Sequence, residues 1–246
     1  MTDPFFKHGI SHLSPSSINT YAAEPAYWSW KYLLGHTDTA GAAAWRGSAV
    51  EAGLDYWLFK RDKGAAQKAA LDCFEREAMG DLDEKVDKQR ILIFPMLDMA
   101  IDAMDREDPP TVRQFDIKYW VDGIEVPIVG RIDYEWPDEG VDLKTVQRMP
   151  RQVPEYHGRQ IAVYQAARKK PYKLLYVSEK TAIMRPLPQE EHDRYLKQIT
   201  WYANKIRSVL ATFDDKLELA RIYPPNFSSF YWNEESMKSA TEIWEL

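Results

Sequence analysis

The sequence predicts a mixed α/β domain of the α+β kind, in which helices come first, then three strands, a helix and a strand, with further helices wrapped around them. Three observations predict it. Apolar residues recur at helical spacing through most of the first 110 positions and again after 189. From about residue 115 the spacing switches to alternation, as in half-buried strands. Turn signals, Asp122-Gly123 and Pro137 to Gly140, divide that stretch into strand-length pieces. The 246 residues fit one domain, 1–246. Its parts are a helical portion (1–110), a sheet with its helix (111–187), and a C-terminal helix with an aromatic tail (188–246).

The elements follow in order. Residues 1–13 read as a loose lead-in. Ser14-Pro15 caps and opens a helix that breaks near Pro25, and a short helix then runs to Gly35. Residues 36–42 form a loop. Val50, Leu54, Trp57 and Leu58 mark a helix over 43–60, and two more helices are predicted near 65–79 and 83–105. Phe115, Ile117 and Tyr119 alternate along a first strand. A second runs from Ile124 to Trp136 and a third from Val141 to Val146. A helix over 155–169 precedes a strand at Lys173–Ser178, beside which Thr181–Leu187 pairs. A long helix covers 189–221, and the tail after Tyr223 is irregular and aromatic.

Composition narrows the function. Hydrophobic residues make up 45% and charged residues 28%, with a net charge of −6, which counts against a protein that coats a duplex. The single cysteine, Cys73, makes no internal disulfide and holds no zinc or iron–sulfur site alone, so an intracellular, cytoplasmic setting is expected. The start has no basic region followed by an apolar run, and Ile91–Ile101 contains Pro95 and Asp98, so neither a signal peptide nor a membrane span is read.

The chemistry concentrates in Gly130-Arg131-Ile132-Asp133 and Asp142-Leu143-Lys144, with Gln160-x-x-x-Tyr164 downstream. Residues two apart on a strand share a face, so Asp142 and Lys144 project together while Leu143 enters the core. A hairpin through Gly140 sets Asp133 beside them. Carboxylates so placed suit Mg²⁺ or Mn²⁺, which also accept phosphate oxygens and water. The lysine can position that water, or deprotonate it if its own pKa is depressed. Glu51, at the edge of the apolar stripe of its helix, offers a third acid. His157, Gln160, Tyr164 and Arg168 share one face of the later helix. From Lys144 to Lys173 eight basic residues stand against the single acid Glu155, a local charge of +7, which suits phosphate neutralisation. Arg148, Arg151, Arg159 and Arg168 are the candidate nucleic-acid contacts.

In the order and spacing of these motifs the chain resembles the PD-(D/E)XK nuclease superfamily, in its RecB-like exonuclease branch. Leu13 to Tyr21 resembles that branch's N-terminal signature, and Trp45 to Glu51 resembles its helix carrying a metal-binding histidine. The resemblance implies a restriction-endonuclease-like αβββαβ core with a mixed central sheet and flanking helices. It implies metal ligation by Asp133, Asp142 and the Leu143 carbonyl, a catalytic Lys144, and an accessory role for Gln160 and Tyr164. Two departures stand out. Glu51 occupies the histidine position, as an acid does in lambda-type phage exonucleases. Where relatives carry iron–sulfur cysteines, this chain has Glu24 and a cysteine-free tail around Ser228–Trp232, so no cluster is expected and aromatic packing is expected to tie the termini.

Each feature also has a structural reading. Asp-x-Lys is common on exposed strands, Glu51 can be a salt-bridged acid, and His157 reads best as solvated. Gln160 and Tyr164 serve equally as helix surface and core. Tyr27, Trp28, Trp30, Tyr32, Trp45, Tyr56 and Trp57 can stack on bases but fit packing better, and Arg168 complements a helix C-terminus. The expected function is a metal-dependent DNA exonuclease of phage or bacterial recombination, repair or genome processing, acting on linear ends or single strands, with a recombination protein as a further partner. A structure-specific or restriction-like endonuclease on the same core is the first alternative. A non-catalytic module that binds DNA or a recombination partner is the second.

Overall fold

A computed structural model of the chain describes residues 3–81 and 83–246. The first two residues of the predicted lead-in lie outside them. The described segments hold eleven α-helices and a five-stranded sheet. The helices before the sheet are α1 (Pro4–Lys7), α2 (Pro15–Ala23), α3 (Pro25–Trp28, continued by a π-turn at Ser29–Leu33), α4 (Ala42–Lys60), α5 (Lys63–Ala78), α6 (Glu84–Arg90) and α7 (Ile93–Ala103). The strands are β1 (Val112–Tyr119), β2 (Ile128–Glu135), β3 (Gly140–Thr145), β4 (Tyr172–Val177) and β5 (Ala182–Pro186), with α8 (Glu155–Arg168) between β3 and β4. Three helices close the chain: α9 (Gln189–Leu210), α10 (Lys216–Arg221) and α11 (Glu234–Trp244).

The sheet runs in chain order β1-β2-β3-β4-β5. Every neighbouring pair is antiparallel except β3–β4, which is parallel. A parallel pair needs a crossover, and α8 supplies it. The predicted mixed αβββαβ core is therefore present. One apolar cluster, with Ile128, Ile132, Tyr164, Leu174 and Tyr176, packs one face of the sheet against α8 and α9. A second, with Tyr134, Val141, Leu143, Leu175 and Val177, packs the other face against α4, α5 and α7.

Several elements differ from the sequence expectation, each for a local reason. The lead-in contains α1, capped by Asp3 and anchored by the fully buried Phe5. The helix expected over 83–105 divides at Ile91–Leu92, because Pro95 lacks an N–H and its ring opposes the carbonyl four residues back. β2 starts at Ile128, just after Pro127, whose carbonyl instead accepts from Leu13 N. The long helix expected over 189–221 breaks before Asp215, whose side chain caps Leu217 and Glu218 and starts α10. The tail is not irregular throughout: Asn233 and Ser236 form a capping box that opens α11.

Candidate active site

The site lies where the β2–β3 ladder stops. The two strands pair only at Tyr134↔Val141 and Glu135↔Gly140. One step further, the Asp133 side chain takes the place of a strand partner: its Oδ2 accepts the Leu143 N–H at 2.7 Å. β3 is meanwhile paired with β4 along its whole length, so Asp142 and Lys144 stand on a strand held rigidly from one side. Asp142 is 1% exposed, and Lys144 Nζ lies 2.6 Å from its Oδ2. Leu143 enters the core on the opposite face, as expected.

Two helices close on this point. From α8, Gln160 Nε2 faces Asp142 Oδ1 at 3.4 Å and donates to Tyr164 Oη at 2.7 Å. Tyr164 Oη in turn donates to the Arg131 carbonyl at 2.7 Å. The ring of Tyr164 is buried, so it serves as core and as part of the polar chain at once. From α4, Glu51 approaches from the other face. Its Oε1 accepts from Gln114 Nε2, and its carbonyl accepts from Tyr134 Oη. Gln114 sits opposite Asp133 on β1 with φ of 45°, left-handed for a non-glycine residue. That backbone turn interrupts the β1 register between Arg113 and Phe115. No alternation rule pointed to Gln114, because its placement depends on the left-handed residue itself.

The electrostatics are those of a buried acid cluster with one ammonium. Burial first, then Asp142 and Glu51, raise the Asp133 carboxyl well above its usual range. Burial also raises Asp142, against the pull of Lys144. Glu51 is raised by burial, against its hydrogen bond from Gln114. Burial pushes Lys144 down, but Asp142 and Asp133 outweigh it and hold the ammonium above its ordinary value. Its acid neighbours thus favour the charged form of Lys144.

The donor set fits a hard divalent cation in kind. All donors are oxygens, and three carboxylates against one ammonium leave an excess of two negative charges. Asp142 Oδ2 is fully buried and, despite the nearby Lys144, receives no aligned hydrogen bond. As the side chains stand, no three His, Cys, Asp or Glu groups among the described residues are gathered at ligand spacing. Gln114 holds Glu51 and Lys144 holds Asp142.

The +7 segment is largely neutralised internally. Arg168 makes a two-pronged pair with Glu135, each contact 2.8 Å, and Lys170 joins the same carboxylate. Lys173 pairs with Glu139. Arg159 is 7% exposed and bonds Asn19, Gln198 and Glu155, tying α2, α8 and α9 together. Arg159 and Arg168, candidate nucleic-acid contacts in the sequence, are engaged within the fold by acids and by polar groups from neighbouring helices. Arg148 and Arg151 stand exposed, without an ion pair among the described residues. His157 is not a solvated histidine: its Nδ1 lies 2.8 Å from Tyr176 Oη, and burial, then the Lys144 charge, pull its pKa down to about 3.

A second buried base lies nearby. Arg46 on α4 is 3% exposed, reaches Gln89 and Thr145, and has no acid partner among the described residues. Thr145 follows Lys144 directly, so Arg46 fixes the end of the lysine's strand.

Among the helices, Tyr27 and Trp30 pack with Trp232 and with Phe227, Tyr231 and Trp244 of the tail. Asp38 is shared by Tyr27 Oη and Asn233 Nδ2, and Glu24 is buried in the same region. Aromatic packing therefore ties the N-terminal helices to the tail.

A mixed αβββαβ sheet with two acids and a lysine at the break between its second and third strands defines a nuclease. The profile of the PD-(D/E)XK nuclease superfamily matches residues 12–221, and the chain belongs to that superfamily. Among solved structures it is similar to a Eubacterium rectale protein proposed by its name to be an exonuclease. The two are 15% identical over 86% of each chain, with a TM-score of 0.59. A second solved structure, SSO0001, is 13% identical over 72% of this chain and 83% of that one, with a TM-score of 0.31. No curated protein matches. No helix among the described residues is long and apolar enough to cross a membrane.

Proposed function

We propose that this nuclease is a metal-dependent DNA exonuclease, a RecB-like member without an iron–sulfur cluster, working inside a bacterial or phage-infected cell on linear DNA in recombination or repair. The same reading takes the 246 residues as a single domain. The observation that carries it is the buried Asp142–Lys144 pair, 2.6 Å apart, with Asp133 and Glu51 alongside.

Glu51, Asp133, Asp142 and the Leu143 carbonyl are the groups that would hold Mg²⁺ or Mn²⁺. Such a cation supplies a water of lowered pKa and polarises the phosphate. The chain's own groups do the rest. Lys144, kept protonated by its neighbours, positions the attacking water and offsets charge that develops on the phosphate. Gln160 and Tyr164 orient Asp142 through the hydrogen-bond chain that ends on the Arg131 carbonyl. Arg148 and Arg151, without an ion pair among the described residues, contact the strand's phosphates, while Arg159 and Arg168 support the helix that carries Gln160. The attack by water needs no covalent enzyme intermediate.

Linear and covalently closed circular DNA, incubated with Mg²⁺ and with the metal omitted, test the reading. An exonuclease degrades the linear form, spares the circle and is inactive without metal. Cutting of the circle would make the enzyme an endonuclease. Asp142→Ala and Lys144→Ala are each expected to lower cleavage at least 100-fold while the protein stays folded by circular dichroism. Full activity in either variant would overturn the assignment of the site.

A further inference from the structure

Beside the acids the surface opens into a cavity of about 590 Å³. One wall is Gln160 and Tyr164, the same side chains that lead by hydrogen bonds to Asp142. The start of α2, with Ser14, Ser16 and Asn19, also lines it. Two tyrosines from distant parts of the chain also line it: Tyr156 at the start of α8, 50% exposed, and Tyr231 in the C-terminal tail.

The lining suits a nucleobase better than a phosphate. Among the described residues its one cation and one anion, Arg131 and Asp116, pair with each other at 2.9 Å. His157, also in the lining, bonds the hydroxyl of Tyr176, a fully buried residue. That hydroxyl has no other acceptor among the described residues, so it donates to Nδ1 and leaves the Nε2–H of His157 as a neutral donor. Ser14 and Ser16 add further neutral polar groups. Tyr231 is held in place by Tyr27, ring centroids 5.3 Å apart, and Phe230 stacks on it at 4.4 Å. Phe230 is 89% exposed, so the aromatic surface continues outward from the cavity. Stacking on aromatic faces is how proteins hold unpaired bases without reading their sequence. The volume matches that of small-molecule sites, about 300–1,000 Å³. A paired base enters such a space only after leaving its stack.

We propose that this cavity takes one unpaired nucleotide of the DNA strand beside the cleaved phosphate, its base lying against Tyr156 and Tyr231, which directs the enzyme to single-stranded ends. The inference rests on the nuclease reading of the adjoining acids. Tyr231 lies beyond residue 221, where the superfamily match ends, so this half of the subsite belongs to the chain's own tail.

Binding without metal separates the subsite from the chemistry. The probe is a short oligothymidine carrying one fluorescent adenine analogue, compared with a blunt duplex of the same length. The wild type is expected to quench the analogue by stacking and to bind the single strand more tightly than the duplex. Tyr156→Ala and Tyr231→Ala should each weaken single-strand binding roughly 5- to 150-fold, leave duplex binding unchanged, and shift cleavage preference toward duplex. Tyr156→Phe, which keeps the ring, should restore the affinity. An iodouracil-containing strand should photo-crosslink to Tyr156 or Tyr231, a readout independent of any variant's folding. Crosslinks confined to other elements, or single-strand affinity unmoved in both alanine variants, would overturn the subsite while leaving the nuclease intact. Tyrosine-dependent single-strand binding with no cleavage under Mg²⁺ or Mn²⁺ would instead uphold the subsite and overturn the nuclease reading.

Discussion

The ring of Tyr164 occupies the space that a side chain on residue 130 would need. A Cβ built on Gly130 would stand 2.6 Å from Tyr164 Cε1. Two motifs that are 34 positions apart in sequence are thus one contact: the glycine of β2 lets α8 approach, and that approach brings Gln160 to Asp142. Gly130→Ala should therefore push Tyr164 off the Arg131 carbonyl, cost about 1–3 kcal/mol, and lower cleavage more than it lowers DNA affinity. Denaturant unfolding and steady-state kinetics would check both. A variant as stable and as active as the wild type would mean that the close approach is unimportant.

Asp133→Asn should stabilise the metal-free protein. A carboxyl whose folded pKa is raised carries a stability penalty that appears as pH rises above its unfolded value, about 4, and is complete above the folded pKa. The asparagine removes one charge of the cluster and keeps an oxygen for the Leu143 N–H. The expected gain is about 1 kcal/mol at pH 8, or roughly 2–4 °C in melting temperature, shrinking toward zero near pH 4. Thermal melts at the two pH values, without divalent metal, read it directly. Added Mg²⁺ should raise the wild-type melting temperature and raise the variant's less. A variant less stable than the wild type at pH 8 would contradict the electrostatic account.

Glu135 behaves in the opposite sense. Its hydrogen bonds to Arg168 first, then to Tyr172 and Lys170, lower its pKa to about 2. The stability this contributes is present above the unfolded value and is lost as pH falls through the folded one, between about pH 4.5 and 2. Glu135→Gln should cost on the order of 3 kcal/mol at neutral pH, and the difference from wild type should fade toward pH 2. Urea titrations across that range would show the convergence. A constant difference at all pH values would place the effect in packing.

The tail should be a structural part of the molecule. Trp232 is 4% exposed and meets Tyr27, Trp30, Phe227 and Trp244 at ring distances of 4.9 to 6.3 Å. Trp232→Ala is expected to cost about 3–5 kcal/mol and to open residues 223–246 to hydrogen exchange. Unchanged protection of that segment would show that the aromatic cluster does not hold it.

The sequence by itself determined the order of the central elements, the mixed core, the pairing of Asp142 with Lys144 and the proximity of Asp133, but not the terminal helices α1, α10 and α11. The strands and the shared face of Asp142 and Lys144 follow from periodicity two and a glycine turn, which are local, while the mixed core is what the family resemblance implied. Local capping signals were also legible but easily overlooked, as the Asn233–Ser236 box that opens α11 shows. Tertiary structure decided what depends on partners far along the chain. It set Gln114 against Glu51 through one left-handed residue, and it gave Arg168 to Glu135 and Arg159 to Asn19. It surrounded Lys144 with acids that favour its charged form. It also brought Tyr231 from the tail to the mouth of the site. A charge or an aromatic ring in a sequence states what it can bond to. Which bond it makes is fixed by the groups that folding places within a few ångströms and by how much water folding removes.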